Sequence, residues 1–450
     1  MAAPAAAAEH AQRVQQASAA LAAQPAGAPP RLAKASSNLF RDRAGGARTR
    51  LDLRAFDHVL AVDAAAGWVD AEGGTSFEAL VAATLPHGLM PAVVPQLKTI
   101  TVGGAVAGVG IEATSFRHGL VHHAVRELDV LLPDGRVVTC APEGEHADLF
   151  HALPNSYGTL GYVLRARMAT QRVLRFVSVR HLAFDDAARA IDALARCCDD
   201  PALDFVDAVA FDDGAIVICA ARFVDTAPAV SEYGVEQIYW RSLRTRDTDH
   251  LRVLDYLWRW DTDWFWCSAN FGLQRPWLRR LVGRERLNSR TYTRWMRTAS
   301  RWRVAERWAR LRGRTRESVI QDVDIPLAQA AEFLAFLRRE IGIAPIWLCP
   351  LRAPRGGFVL YPLREHALYL NFGFWAAIES AEPHERGHFN RLIEREVMRL
   401  GGIKSLYSDS YFTREEFDRA YGREAYAAAK ARYDPQHRAL DLYDKCVLRA

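Results

Sequence analysis

Gly108, Gly110 and Ala113 stand in a G-x-G-x-x-A spacing, and Asp129 follows roughly twenty residues on. The chemistry of that pattern would be dinucleotide binding, with a pyrophosphate resting on the N-terminus of a helix that opens at the last motif position. The flanks exclude this geometry. A hydrophobic strand should run straight into the first glycine, yet Gly103-Gly104 precedes it, and Thr114 to Gly119 has no apolar 3.6-residue period. Thr99 to Gly119 is therefore expected to form an extended glycine-rich loop. Its bare backbone at Gly103, Gly104, Gly108 and Gly110 would bring N–H groups against a large anionic ligand. Ser36-Ser37-Asn38 and Asn155 to Gly161 reinforce this, because three small, N–H-rich stretches suit a long ligand with a diphosphate.

Proton transfer has fewer candidates. Tyr407, Asp409 and Tyr411 alternate, so on an extended strand they would share one face, with Lys404 close by. Two readings stand: an acid/base face, ranked Tyr407, Asp409, Lys404, or a polar sheet edge with aromatic packing. Tyr369 and Asn371 share a face in the same way, and packing is the simpler role for that tyrosine. Glu112 either orients a bound ligand or solvates its turn. His118 and the pair His122-His123 invite a metal reading, but adjacent histidines point apart and no third ligand is evident, so no metal is expected.

The elements that must position these residues follow from pattern. Val59 to Val62 and Gly67 to Ala71 bracket a turn and read as a hairpin. Thr75-Ser76-Phe77-Glu78 opens a helix through about Thr84. Val125 to Leu132 and Arg136 to Cys140 form a second hairpin about Pro133-Asp134-Gly135, and Tyr162 to Met168 is the last strand of this unit. A second unit begins near Leu174, with strands at 177–182, 206–211, 215–223, 346–351, 358–361 and 368–374 and helices at 184–197 and 383–400. Intermixed strands and helices give an α+β class rather than a doubly wound sheet.

At 450 residues with 50% hydrophobic content, the chain suits two cores. A formal charge of +5, spread over 58 basic and 53 acidic residues, does not require nucleic acid. Seven cysteines without a C-x-x-C pair suggest reduced thiols and a cytoplasmic setting. Residues 1–30 lack the basic start and unbroken apolar run of a signal peptide, and read as a frayed tail. Residues 240–316 are helical in pattern and hold nine of the twelve tryptophans. Between Arg275 and Arg316, fifteen arginines face only Glu285 and Glu306, which suits peripheral contact with anionic lipid or, equally, a helical cap whose arginine stems cover apolar surface.

A wider set of residues carries a resemblance. Pro95-Gln96-Leu97, Thr101-Val102-Gly103-Gly104, Gly108, Gly110-Ile111-Glu112, Ser115, Gly119-Leu120, Asp134-Gly135, Asp148-Leu149-Phe150 and Gly158-Thr159-Leu160-Gly161 resemble the FAD-binding domain of vanillyl-alcohol-oxidase or p-cresol-methylhydroxylase (PCMH) type flavoenzymes. Gln321-Asp322, Pro345 to Pro350, Leu406 to Asp409 and Thr413 to Phe417 extend it toward the Δ24-sterol reductase branch. The resemblance implies a PCMH-type FAD-binding domain over 31–172, an α+β cap over 173–400 with a helical Trp/Arg-rich insertion, and a segment 401–450 that returns to the flavin. It implies FAD contacts from Ser36, Ser37, Asn38, Pro95, Thr101, Val102, Gly103, Gly104, Gly108, Gly110, Ile111, Glu112, Ser115, Gly158, Thr159 and Gly161, with the isoalloxazine ring near 158–161. Lys34-Ala35-Ser36-Ser37-Asn38 stands where some members carry a flavin-tethering histidine, so non-covalent FAD is expected.

A flavin carries hydride at N5, leaving the protein to hold the substrate and move one proton. The expected reaction is hydride transfer between flavin and a hydrophobic, sterol- or isoprenoid-like substrate, as C=C reduction fed by NADPH or as the reverse dehydrogenation. An FAD-linked alcohol or lactone oxidase using oxygen is the alternative, and a flavin-free peripheral membrane or scaffold protein is a third reading.

Overall fold

The computed structural model describes residues 4–25, 29–33, 40–41, 49–302, 309 and 311–450. Its first sheet is antiparallel, in the order Val59–Asp63, Trp68–Glu72, Tyr162–Arg172, Val125–Leu131, Val137–Cys140, with Leu89–Pro91 pairing the far end of Tyr162–Arg172. The first hairpin closes because the Asp63 carboxylate accepts from Ala65 and Ala66 N–H while Gly67 takes φ 65°. Ser76 caps the helix Phe77–Thr84, whose Phe77, Leu80 and Val81 are buried with Val69 and Ala71 of the sheet.

The second sheet has eight antiparallel strands, in the order Thr248–Arg252, Phe176–Phe184, Ile216–Val224, Phe205–Ala210, Ile346–Arg352, Leu368–Ser380, Thr315–Pro326, Ile403–Lys404. Period-two alternation divides it cleanly. Val206, Ala208, Ile218, Leu348, Phe372 and Val323 form one core with the helices Ala187–Asp199, Ala330–Phe336 and His388–Arg399. Alternate residues, among them Phe205, Cys219, Trp347, Cys349 and Tyr369, turn the opposite way and share a core with the first sheet and the aromatic stretch around Trp260. Trp347 and Trp375 stand on this second face.

Four expectations change. Residues 4–22 are not a tail but a helix; its Ala-rich run favours helix, and Ala17 and Leu21 are buried with Leu51, Leu53, Phe56 and Leu131. Val102–Gly108 within the glycine-rich segment is also helical, because Thr101 caps it and Val102, Ala105 and Val106 bury one side. Residues 358–361 form a turn rather than a strand. The region 240–316 is mixed: short helices at Tyr239–Ser242, Val253–Leu257, Pro276–Val282 and Ser289–Trp302 accompany the edge strand Thr248–Arg252. Among the described residues no helix is long and apolar enough to cross a membrane.

Candidate active site

The glycine-rich segment builds one wall of a cleft. At Gly103 an added Cβ would lie 2.9 Å from the Gly73 carbonyl oxygen, so only glycine lets this helix settle on the first sheet. The helix ends at Val109, φ 60°, and Gly110 then passes so close to Val121 that a Cβ would meet its Cγ2 at 2.7 Å. The wall from Gly104 to Ile111 is thereby fixed. The N–H groups expected to cradle a phosphate are already spent, however. Gly103 donates to Gly73 O at 2.7 Å, Gly104 to Thr101 Oγ1 at 3.3 Å, Gly110 to Ala105 O at 3.0 Å and Glu112 to Ser115 Oγ at 3.1 Å. Packing on the first sheet, the helix caps and Ser115 use the donors that an extended loop would have left free.

Against this wall stand Pro95-Gln96-Leu97 and Tyr157 on one side and Trp347, Trp375, Asp322, Tyr407 and Phe265 on the other, bounding an open cleft. Phe265 stacks on Trp375 with ring centres 4.3 Å apart. It reaches that position through two consecutive left-handed residues, Trp264 at φ 47° and Phe265 at φ 58°. Bulky side chains adopt this conformation only where the surroundings force it.

Asp322 and Tyr407 bring a carboxyl and a phenol hydroxyl to the wall of this cleft. Asp322 lies on Thr315–Pro326 opposite Gly373 of the neighbouring strand, where any Cβ would come within 2.7 Å of its Oδ1. Burial pushes its carboxyl up to about 7; the Tyr407 hydroxyl opposes that rise and the nearby Asp324 adds to it. Tyr407 is raised well above 10, first by burial and then by Asp322. The two groups are close enough to shift each other, and Tyr407 OH and Asp322 Oδ1 make no full hydrogen bond among the described residues. Backbone pairing holds both in place: Ser405 N–H donates to Asp322 O at 3.0 Å and Phe40 N–H to Tyr407 O at 2.9 Å.

The other predicted proton-transfer residues are elsewhere. Residues 405–407 turn instead of continuing as a strand, so Tyr407, Asp409 and Tyr411 do not share a face. Lys404 points to the helix side, its Nζ 2.8 Å from Glu394 Oε1 with both groups buried. Asp409 lies 3.4 Å from Arg449, over which the Tyr411 ring also sits. Tyr369 donates no proton into the cleft; its hydroxyl accepts from Arg364 N–H.

Of the predicted flavin contacts, Pro95, Thr101, Gly104, Gly108, Gly110 and Ile111 line the cleft. Val102 and Gly103 lie behind that wall. Ser36, Ser37 and Asn38 lie outside the described residues. Gly158, Thr159 and Gly161 shape the turn into Tyr162–Arg172: Gly158 and Gly161 have φ 79° and 153°, and Thr159 Oγ1 donates to Ser156 O at 2.8 Å. Their neighbour Tyr157 is the one that faces the cleft, its hydroxyl donating to Gly108 O at 3.1 Å. His118 meets Gln171 at 3.0 Å, and His122 and His123 are buried against Phe358.

Glu112 neither solvates a turn nor lines the cleft. It is buried, 2.9 Å from the Arg259 guanidinium, which also meets Asp207 at 2.9 Å; Asp207 in turn accepts from Trp347 Nε1 at 3.0 Å. Burial raises Glu112 to about 7, against the pull of Arg259. Flavin wall and aromatic wall are thus tied through one buried cation. Arg259, Phe265 and Trp375 carried no signal in the sequence; Gln96, Asp322 and Trp347 stood in the resemblance motifs without an assigned role.

The cleft fits a flavin. Both amide atoms of Gln96 are buried without a partner among the described residues, beside flat aromatic surfaces and the glycine wall, and an isoalloxazine ring offers N–H and C=O edges to such an amide. An FAD binding domain model matches residues 4–141, which include the N-terminal helix and the glycine wall. The Delta(24)-sterol reductase of Rattus norvegicus is 26% identical over 385 residues, covering 78% of this chain and 69% of that protein. The Delta(24)-sterol reductase homolog of Caenorhabditis elegans is 24% identical over 423 residues, covering 86% and 77%. Cytokinin dehydrogenase 9 of Oryza sativa subsp. japonica is 35% identical over 120 residues, or 26% of this chain and 23% of that one. The chain is an FAD-dependent oxidoreductase with a PCMH-type FAD-binding domain, similar over most of its length to the Delta(24)-sterol reductases.

Proposed function

We propose that this enzyme reduces a carbon–carbon double bond in a hydrophobic, sterol- or isoprenoid-like substrate, using non-covalent FAD loaded by NADPH. The observation that carries this reading is the cleft itself, where one neutralisable carboxyl and one tyrosine hydroxyl face an otherwise aromatic wall beside the flavin-binding glycines. When bound, FAD supplies the hydride. Pro95 to Leu97 and Gly104 to Ile111 would hold the cofactor, while Phe265, Trp347 and Trp375 hold an apolar substrate and exclude water. Asp322 keeps a proton near neutrality because its burial disfavours the carboxylate, and Tyr407 keeps its own throughout. Either hydroxyl can therefore protonate the carbon next to the one that receives hydride. The names of the sterol reductase relatives support the reductive direction.

Cytokinin dehydrogenase 9, whose match falls within part of the chain, favours the reverse direction as a second reading. Purified protein should be yellow, release its flavin on denaturation, bleach anaerobically with NADPH and recolour on adding a sterol or prenyl alkene. Bleaching by a saturated alcohol and not by NADPH would reverse the direction, and a colourless protein that takes up no FAD would sink both readings.

A further inference from the structure

Arg279 fixes the helix Pro276–Val282 in one orientation. Its guanidinium is buried, 2.9 Å from Asp263 Oδ1, and donates to the carbonyls of Gly234 and Leu273 at 2.7 and 3.1 Å. Turning this side of the helix outward would strand the Asp263 charge. The same helix carries Trp277 and Leu281, four residues apart and so on one face, at 60% and 77% exposure. Scattered exposed hydrophobics are ordinary, but two large ones on the outward face of an anchored helix form a patch that this fold cannot withdraw.

The surroundings are cationic. From Arg275 to Arg301 the chain has nine arginines and one acid, Glu285. Arg280, Arg284 and Arg290 face Glu236, Glu232 and Glu78 of neighbouring segments, which still leaves an excess of positive charge, with Arg275, Arg286 and Arg294 exposed. An exposed indole and leucine on a segment that also exposes Arg275, Arg286 and Arg294 match a layer whose outer part is anionic phosphate and whose inner part is hydrocarbon.

We propose that the outward face of Pro276–Val282, with the exposed arginines from Arg275 to Arg294, docks on an anionic phospholipid surface. The docking surface holds whichever way the flavin reaction runs.

The test uses full-length, flavin-loaded protein sedimented with vesicles of phosphatidylcholine, alone or mixed with phosphatidylglycerol. Sedimentation with the anionic vesicles, weakened by added salt, is expected. Trp277→Ser combined with Leu281→Ser should lower the partition about tenfold or more, with flavin content and melting temperature at wild-type values. Arg286→Gln combined with Arg294→Gln should lower it on anionic vesicles specifically. Equal sedimentation of wild type and the Trp277/Leu281 variant, or none of the wild type, overturns the proposal. So does a wild-type dimer in light scattering that this variant converts to monomer, since the face would then be a contact between copies.

Discussion

Asp322 makes the direction of the reaction readable from pH. Its carboxyl titrates at about 7. If it serves as the acid of a reduction, kcat/KM falls as pH rises through about 7; if it serves as the base of a dehydrogenation, kcat/KM rises over the same interval. Asp322→Asn should abolish that limb and lower the rate by about 10²- to 10⁴-fold while FAD stays bound, as steady-state kinetics across pH would show. Tyr407→Phe should lose rate on a similar scale and move the limb to higher pH, because the Tyr407 hydroxyl holds the Asp322 carboxyl down. Stability gives a second readout. The folded-state pKa of Asp322 lies above the ordinary carboxylate value of about 3.9, so the folded chain holds this proton more tightly than the unfolded one. Its contribution is present at low pH and is lost as pH rises toward 7. Asp322→Asn should therefore melt higher than wild type at pH 8 and gain nothing at pH 4. The aspartate was visible in the sequence only as part of Gln321-Asp322; its burial, and the glycine opposite that makes room for it, come from strand pairing with residue 373, which no local pattern encodes.

At the level of elements, the sequence was most legible where a pattern is local. The two hairpins of the first sheet, the Ser76-capped helix and the strands about Phe176 and Ile216 follow from alternation, turn residues and caps, and they form within a few residues of the expected limits. The glycine-rich segment misled because helix formation at Val102–Gly108 depends on packing against Gly73 and Val163, not on intrinsic propensity, which three glycines oppose. Tyr407 to Tyr411 misled for the opposite reason: an alternating pattern was present, but residues 406–407 form a turn and 409–413 pair with no described strand. Arg259 was silent because its partners lie 147 and 52 residues away. Its element now yields a prediction. Arg259→Met would leave Glu112 and Asp207 buried without their cation, costing about 3–5 kcal/mol. Thermal melting should fall and flavin content should drop with it, since the glycine wall and Trp347 are both tied to that cation. Adding Glu112→Gln and Asp207→Asn to the Arg259 variant should recover part of the melting temperature, because the stranded charges are then gone.

The molecule as a whole depends on a segment whose composition seemed to promise nothing. Two antiparallel sheets and the cleft account for the site, but the helix Pro4–Ala22 packs with Leu131, Tyr162 and Leu164 at one side of the first sheet. That helix does more than cover Leu51, Leu53 and Phe56. His10 Nδ1 meets Glu72 Oε1 at 2.7 Å and the Arg13 guanidinium lies 2.9 Å from the same oxygen, so a carboxylate buried in the sheet takes its partners from the N-terminal helix and from His58. Burial alone would raise Glu72; the bonds from His10, His58 and Arg13 outweigh it and hold the carboxyl below its usual value. Removing residues 1–25 should therefore expose Leu51 and Phe56 and unpair Glu72 at once, a loss of roughly 3–6 kcal/mol from apolar burial and ion pairing together. A lower melting temperature with a weaker hold on FAD is expected, measured by thermal unfolding and by flavin retained after dialysis. Glu72→Gln in the truncated chain should restore part of the stability, whereas in the full-length chain the same change should be destabilising, because there it breaks the contacts of His10 and Arg13. Equal melting of the full-length and truncated chains would return these residues to the frayed tail that their composition suggests.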